Sequence, residues 1–84
     1  MAKKSNWEIR ENHLCKSFAF KDFREAMAAM LTISYIAEEL NHHPEWCNVY
    51  NKLDIRLTTH DTGGISEKDH ELAMRIDALN LCKN

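Results

Sequence analysis

Larger apolar side chains alternate with polar ones in two short stretches near the start of the chain, Trp7-Glu8-Ile9-Arg10 and Leu14-Cys15-Lys16-Ser17-Phe18-Ala19-Phe20. A two-residue period is that of a strand with one face buried, and the polar Glu11-Asn12-His13 between them fits a reverse turn, so a β-hairpin is expected. Asp22 with Glu25 three residues later predicts a helix N-terminus, because a carboxylate before the first turn accepts a bond from a backbone N–H that has no helical partner. The helix is expected from about Phe23 to Leu40.

Phe23, Ala26, Met27, Met30, Ile33, Ala37 and Leu40 suffice to cover a sheet, yet Ala28, Leu31, Tyr35 and Ile36 remain. A helix apolar around most of its circumference is usually buried on more than one side. With 84 residues the chain has no second layer to offer, so a neighbouring subunit is expected to cover part of the helix, as a homodimer or homotetramer. The proline ring of Pro44 pushes His43 away from helical angles, which leaves His42 and His43 in the turn that follows.

Trp46 to Tyr50 is expected as a strand and Asn51-Lys52 as a tight turn. Leu53, Ile55 and Leu57 then alternate with Asp54, Arg56 and Thr58 in a second strand, whose continuation sets His60 on the polar side. Gly63-Gly64 gives conformational freedom, and Ser66 with Asp69 predicts a capping box for a last helix carrying Leu72, Ala73, Ile76 and Leu79. The order β-β-α-β-β-α predicts an α+β fold: one domain over residues 1–84, a four-stranded antiparallel sheet with two helices packed on one face.

Eleven basic and 13 acidic residues leave a net charge of −2, and the basic ones are scattered apart from Lys3-Lys4, so no nucleic-acid partner is expected. Cys15, Cys47 and Cys82 are far apart and form no Cys-x-x-Cys pair, which suits a reducing compartment. No run of about 18 apolar residues and no apolar signal region is present, so no membrane partner is expected. The expected location is the cytoplasm, with the nucleus also open for a eukaryotic source.

Three of the five histidines, His42, His43 and His60, fall within nineteen positions. Imidazole, with an unperturbed pKa of about 6.5, both gives and takes a proton near neutrality. Two imidazoles on opposite sides of a small substrate can protonate a leaving hydroxyl and remove a proton elsewhere, while a carboxylate nearby fixes a tautomer. Solvated loop histidines are the plainer alternative. A zinc site is a further one, but adjacent histidines rarely project to one ion and no His-x3-His or Cys-x2-Cys chelate exists; no metal and no other cofactor is expected.

Glu38, His42-His43-Pro44, Tyr50, His60 and Asp69, in that spacing, resemble the signature of the pterin-4a-carbinolamine dehydratase family. Phe18 to Phe23, Glu45 to Lys52, Leu57 to His60 and Gly64 to Asp69 extend the resemblance, which covers about Trp7 to Leu79. It implies a lyase that removes water from 4a-hydroxy-tetrahydropterin to give quinonoid dihydropterin, recycling the cofactor of aromatic amino acid hydroxylases without metal or redox cofactor. It further implies acid–base roles for His42 and His60, a binding and orienting role for His43, a turn shaped by Pro44 and a pocket supported by Asp69. Thr59, Asp61 and Thr62 would read the polar edge of the pterin, and Glu38 and Trp46 would line the same cleft. Glu38 equally fits a solvated helix end, Trp46 a core aromatic and Asp69 a helix cap.

Many family members carry a helix before the segment matching Trp7. Six residues precede it here, so that element is expected to be missing or reduced. Animal relatives also serve as dimerisation cofactors for a homeodomain transcription factor, which makes a binding module the alternative function.

Overall fold

Two consecutive residues in the left-handed region, Glu11 (φ 50°) and Asn12 (φ 64°), reverse the chain between β1 (Glu8–Arg10) and β2 (His13–Ala19). Such a pair matches the twist of the flanking strands, so the hairpin needs only two turn residues. His13, expected in the turn, pairs instead with Arg10 as the first residue of β2. The structure, a computed structural model, describes residues 7–81; Lys3-Lys4, Cys82 and the expectation of a reduced N-terminal element lie outside the described residues.

Helix α1 (Phe23–Leu40) starts as expected, with Asp22 Oδ1 accepting the Glu25 N–H at 2.9 Å and Glu25 Oε1 accepting the Lys21 N–H at 2.9 Å. It stops at Asn41, which is left-handed at φ 53°, and the His42 N–H bonds back to the Ala37 carbonyl at 3.0 Å. That closure satisfies late helical carbonyls and turns the chain sharply into His42.

The second hairpin joins β3 (Glu45–Val49) to β4 (Lys52–Leu57) through Tyr50 and Asn51, one residue earlier than the expected Asn51-Lys52. Tyr50 adopts φ 53°, an uncommon angle for a bulky residue. Side-chain amides hold it there. Asn48 Nδ2 donates to the carbonyls of Tyr50 (3.1 Å) and Lys52 (2.8 Å), while Asn51 exchanges two 2.8 Å bonds with the Phe20 backbone.

The four strands form one antiparallel sheet in the order β1-β2-β4-β3, and α2 (Glu67–Asp77) completes the α+β fold with both helices on one face. Leu14 faces Leu57, Phe18 faces Leu53 and Trp46 faces Ile55 across the strands. These residues pack with Ala26, Ala29, Ile33 and Ile36 of α1 and Leu72, Ala73 and Ile76 of α2. The expected alternation holds within β4, with Leu53, Ile55 and Leu57 buried and Asp54 and Arg56 exposed, while Thr58 lies half-buried just past the strand's end.

The docking face of α1 is rotated from the expected one. Ile36 is buried, whereas Phe23 and Met27, expected on the sheet, are 47 and 44 % exposed. Alanines at 26, 29 and 37 let the helix approach closely along that side. The four-residue ridge Phe23, Met27, Leu31 and Tyr35 faces away from the core. Among the described residues, no helix is long and apolar enough to cross a membrane.

Candidate active site

Asp69 is the third residue of α2 and is fully buried. Its carboxylate is met by donors on three sides. Oδ2 accepts the Ser66 backbone N–H at 2.9 Å and the Thr59 hydroxyl at 2.7 Å, and Oδ1 lies 2.5 Å from His42 Nε2. Thr59 has one hydroxyl proton and gives it to Asp69, so at 2.7 Å from Ser66 Oγ it accepts the serine proton. Ser66 Oγ in turn accepts the Lys68 N–H at 3.2 Å. The expected capping box is complete, and the same aspartate reaches beyond it to the loop and to His42.

Burial pushes the Asp69 carboxyl upward, but the bonds from His42, Thr59 and the Ser66 backbone outweigh it and hold the group below its ordinary value. Asp69 is therefore an anion that only accepts. His42 Nε2 must carry the proton, and the neutral ring keeps its lone pair on Nδ1. Nδ1 makes no bond among the described residues.

A cavity of about 430 Å³ opens here, lined by Asn41, His42, His43, Glu45, Thr58, Thr59, His60, Asp61 and Lys68. Its walls come from the end of α1, the start of β3, the end of β4 and the start of α2. The loop after β4 is closed by paired backbone bonds between Thr59 and Gly64, at 3.0 and 3.2 Å, around a 3₁₀ turn over His60–Thr62. Gly63 ends that turn at φ 77°, the left-handed angle that favours glycine. The Thr62 hydroxyl lies 3.1 and 3.0 Å from the carbonyls of Thr59 and Gly64, and so secures the loop. His60 is exposed at the cavity rim.

Of the residues singled out by sequence, His42, His43, Thr59, His60 and Asp61 come together around the cavity, with Asp69 directly behind His42. Glu38, Pro44, Trp46 and Thr62 do not line it. Glu38 accepts from His43 Nε2 at 2.7 Å in an exposed pair, Pro44 lies in the turn between α1 and β3, and Trp46 packs half-buried against the core. Asn41, Glu45, Thr58 and Lys68 line the cavity without having been singled out. Lys68 alone carried a signal, a cation in the first turn of a helix, where the backbone dipole disfavours it.

Fold and cavity define a small α+β domain whose histidine–carboxylate site is suited to proton transfer. The family model for pterin 4 alpha carbinolamine dehydratase matches residues 1–79, and the chain belongs to that family. A relative bearing the family's name in Synechococcus sp. (strain WH7803) is 49% identical over 74 residues, covering 88% of this chain and 80% of its own. Another in Solibacter usitatus (strain Ellin6076) is 47% identical over 79 residues, covering 94 and 83%. The crystal structure of a transcriptional coactivator/pterin dehydratase from Brucella melitensis superposes with a TM-score of 0.84 at 39% identity, covering 87% of this chain and 80% of that one. A pterin dehydratase-like RuBisCO assembly factor of the alpha-carboxysome, at 24% identity and a TM-score of 0.71, shares the fold.

Proposed function

We propose that the chain dehydrates 4a-hydroxy-tetrahydropterin to quinonoid dihydropterin and water, and so recycles the pterin cofactor of aromatic amino acid hydroxylases. The observation that carries this is the buried, ionised Asp69, which fixes the proton on His42 Nε2 and leaves Nδ1 of this cavity-lining ring without a bond among the described residues. The reaction breaks the C4a–O bond, which needs a proton on the departing hydroxyl, and removes the proton from N5. The Nδ1 lone pair of His42 suits the second task, and His60, exposed at the cavity rim, the first. His43, held by Glu38, orients the ring, while Asp61 reads its polar edge from a loop that the internal bonds of Thr59 hold in place.

The test follows loss of the carbinolamine by ultraviolet absorbance, with protein that has been exhaustively chelated. Acceleration over the uncatalysed rate is expected to survive chelation, because imidazoles move the protons. No acceleration at all would remove the reading, and activity lost on chelation and restored by zinc would move the chemistry to a metal.

The exposed ridge of α1 supports self-association. Burying side chains of this size stabilises by about 1.5–3 kcal/mol each, so Phe23, Met27, Leu31 and Tyr35 together can hold a second copy. Leu31→Glu with Tyr35→Glu is expected to lower both the oligomeric state and the melting temperature, read by sedimentation and thermal unfolding. A wild-type protein that sediments as a monomer at micromolar concentration would dismiss this. The same ridge favours the second reading, a docking surface for a partner as in a dimerisation cofactor. The free thiols of Cys15 and Cys47 support a cytoplasmic location.

A further inference from the structure

The first turn of helix α2 carries a lysine where a helix favours an acid. Lys68 is the second residue of α2, flanked by Glu67 and Asp69, in the first turn where unpaired backbone N–H groups carry partial positive charge. Its backbone N–H is tied to Ser66 Oγ, so the capping box fixes the root of its side chain. The ammonium itself is exposed and, among the described residues, makes neither hydrogen bond nor ion pair. No contact of the folded chain accounts for the charge, yet the residue lines the same cavity as His42, Thr59, His60 and Asp61.

The walls of that cavity differ in what they offer a ligand. Glu45 and Asp61 are carboxylates that accept, and the imidazoles change role with protonation. Lys68 is a permanent donor. The pyrimidine edge of a pterin presents adjacent donors, the 2-amino group and N3–H, beside one acceptor, the 4-oxo oxygen. A carboxylate meets the first two and an ammonium meets the third.

Resting on the reading that the cavity holds a pterin, we propose that Lys68 is a specificity-determining residue that donates to the 4-oxo oxygen while Asp61 accepts from the amino side. The 4-oxo group is unchanged by dehydration, so its contact strengthens substrate and transition state alike and acts on KM rather than kcat. A ring with a 4-amino group in its place sets a donor against the ammonium, which has no acceptor to offer.

The test compares 2-amino-4-oxopteridine with 2,4-diaminopteridine by equilibrium titration at neutral pH, on wild type, Lys68→Ala and Lys68→Arg. A hydrogen bond to a charged group predicts that wild type favours the oxo ring by about tenfold or more, that Lys68→Ala brings the ratio to within about twofold, and that Lys68→Arg retains most of it. In steady-state kinetics Lys68→Ala is expected to raise KM for the carbinolamine with kcat little changed. Circular dichroism checks that the alanine variant is folded. A Lys68→Ala variant that keeps the wild-type preference, or loses affinity for both rings equally, overturns the assignment. A wild type that dehydrates the carbinolamine yet binds both rings equally overturns the lysine's role alone, whereas one that binds neither ring removes the pterin reading beneath it.

Discussion

His42→Ala is expected to lower kcat/KM by about two to four orders of magnitude, the usual range for a general acid or base. It is also expected to cost about 1–3 kcal/mol of stability, because it strips one donor from a fully buried carboxylate. The second effect is visible only in the structure, since nothing in the sequence ties His42 to a buried group and an intact fold is the natural expectation. His60→Ala separates the two effects: its side chain is exposed at the rim, so a comparable loss of rate is expected with little loss of stability. His43→Ala, whose partner is the exposed Glu38, is expected chiefly to raise KM. Steady-state kinetics paired with urea unfolding reads all three variants. Wild-type rates in both His42→Ala and His60→Ala would end the acid–base assignment.

What could be read from the sequence was what neighbouring residues decide. Asp22 with Glu25 and Ser66 with Asp69 set helix starts by bonds that span three positions, and the strict alternation in β4 sets which side chains face the core. The β3–β4 turn was misplaced because its holder is partly distant: the bonds between Asn51 and Phe20 bridge 31 positions and let Tyr50 take a left-handed angle. The docking face of α1 was hidden for a different reason. Apolar residues surround that helix, so hydrophobicity has no single direction, and the alanines at 26, 29 and 37 decide by size which side comes closest.

The candidate site divides along the same line. Its histidines were legible as chemistry, whereas the bond from His42 to Asp69, across 27 positions, exists only after α1 and α2 pack together. Trp46 shows the converse. Its neighbours in sequence belong to the recognisable segment, but the pleat of β3 turns its ring to the core, opposite Ile55.

Asp69→Asn is expected to have the widest effect of any single substitution. Three donors converge on the carboxylate, and an amide offers only one oxygen, so its NH2 must face at least one N–H or O–H. If the NH2 faces His42, the ring proton moves to Nδ1 and the lone pair to Nε2, so Nδ1 no longer accepts a proton. If it faces Thr59 and Ser66, the start of α2 loses the aspartate half of its capping box, while Ser66 still caps the Lys68 N–H. The first outcome lowers turnover by about two orders of magnitude or more, as an imidazole in the wrong tautomer does, and in either case a buried donor left without its acceptor costs about 1–3 kcal/mol. The variant also changes the pH dependence of stability. Because the folded carboxyl lies below its ordinary value of about 3.9, the wild type holds the full contribution above that value and loses it as pH falls through the lower, folded one. Asparagine does not titrate, so the stability gap between wild type and Asp69→Asn is expected to be widest at neutral pH and to narrow as the solution is acidified below about pH 4. Denaturant unfolding of both proteins at neutral and acid pH measures the gap directly. A gap independent of pH would mean that Asp69 is not the anion that holds His42, and near-normal turnover in the variant would remove the aspartate from the proton-transfer machinery.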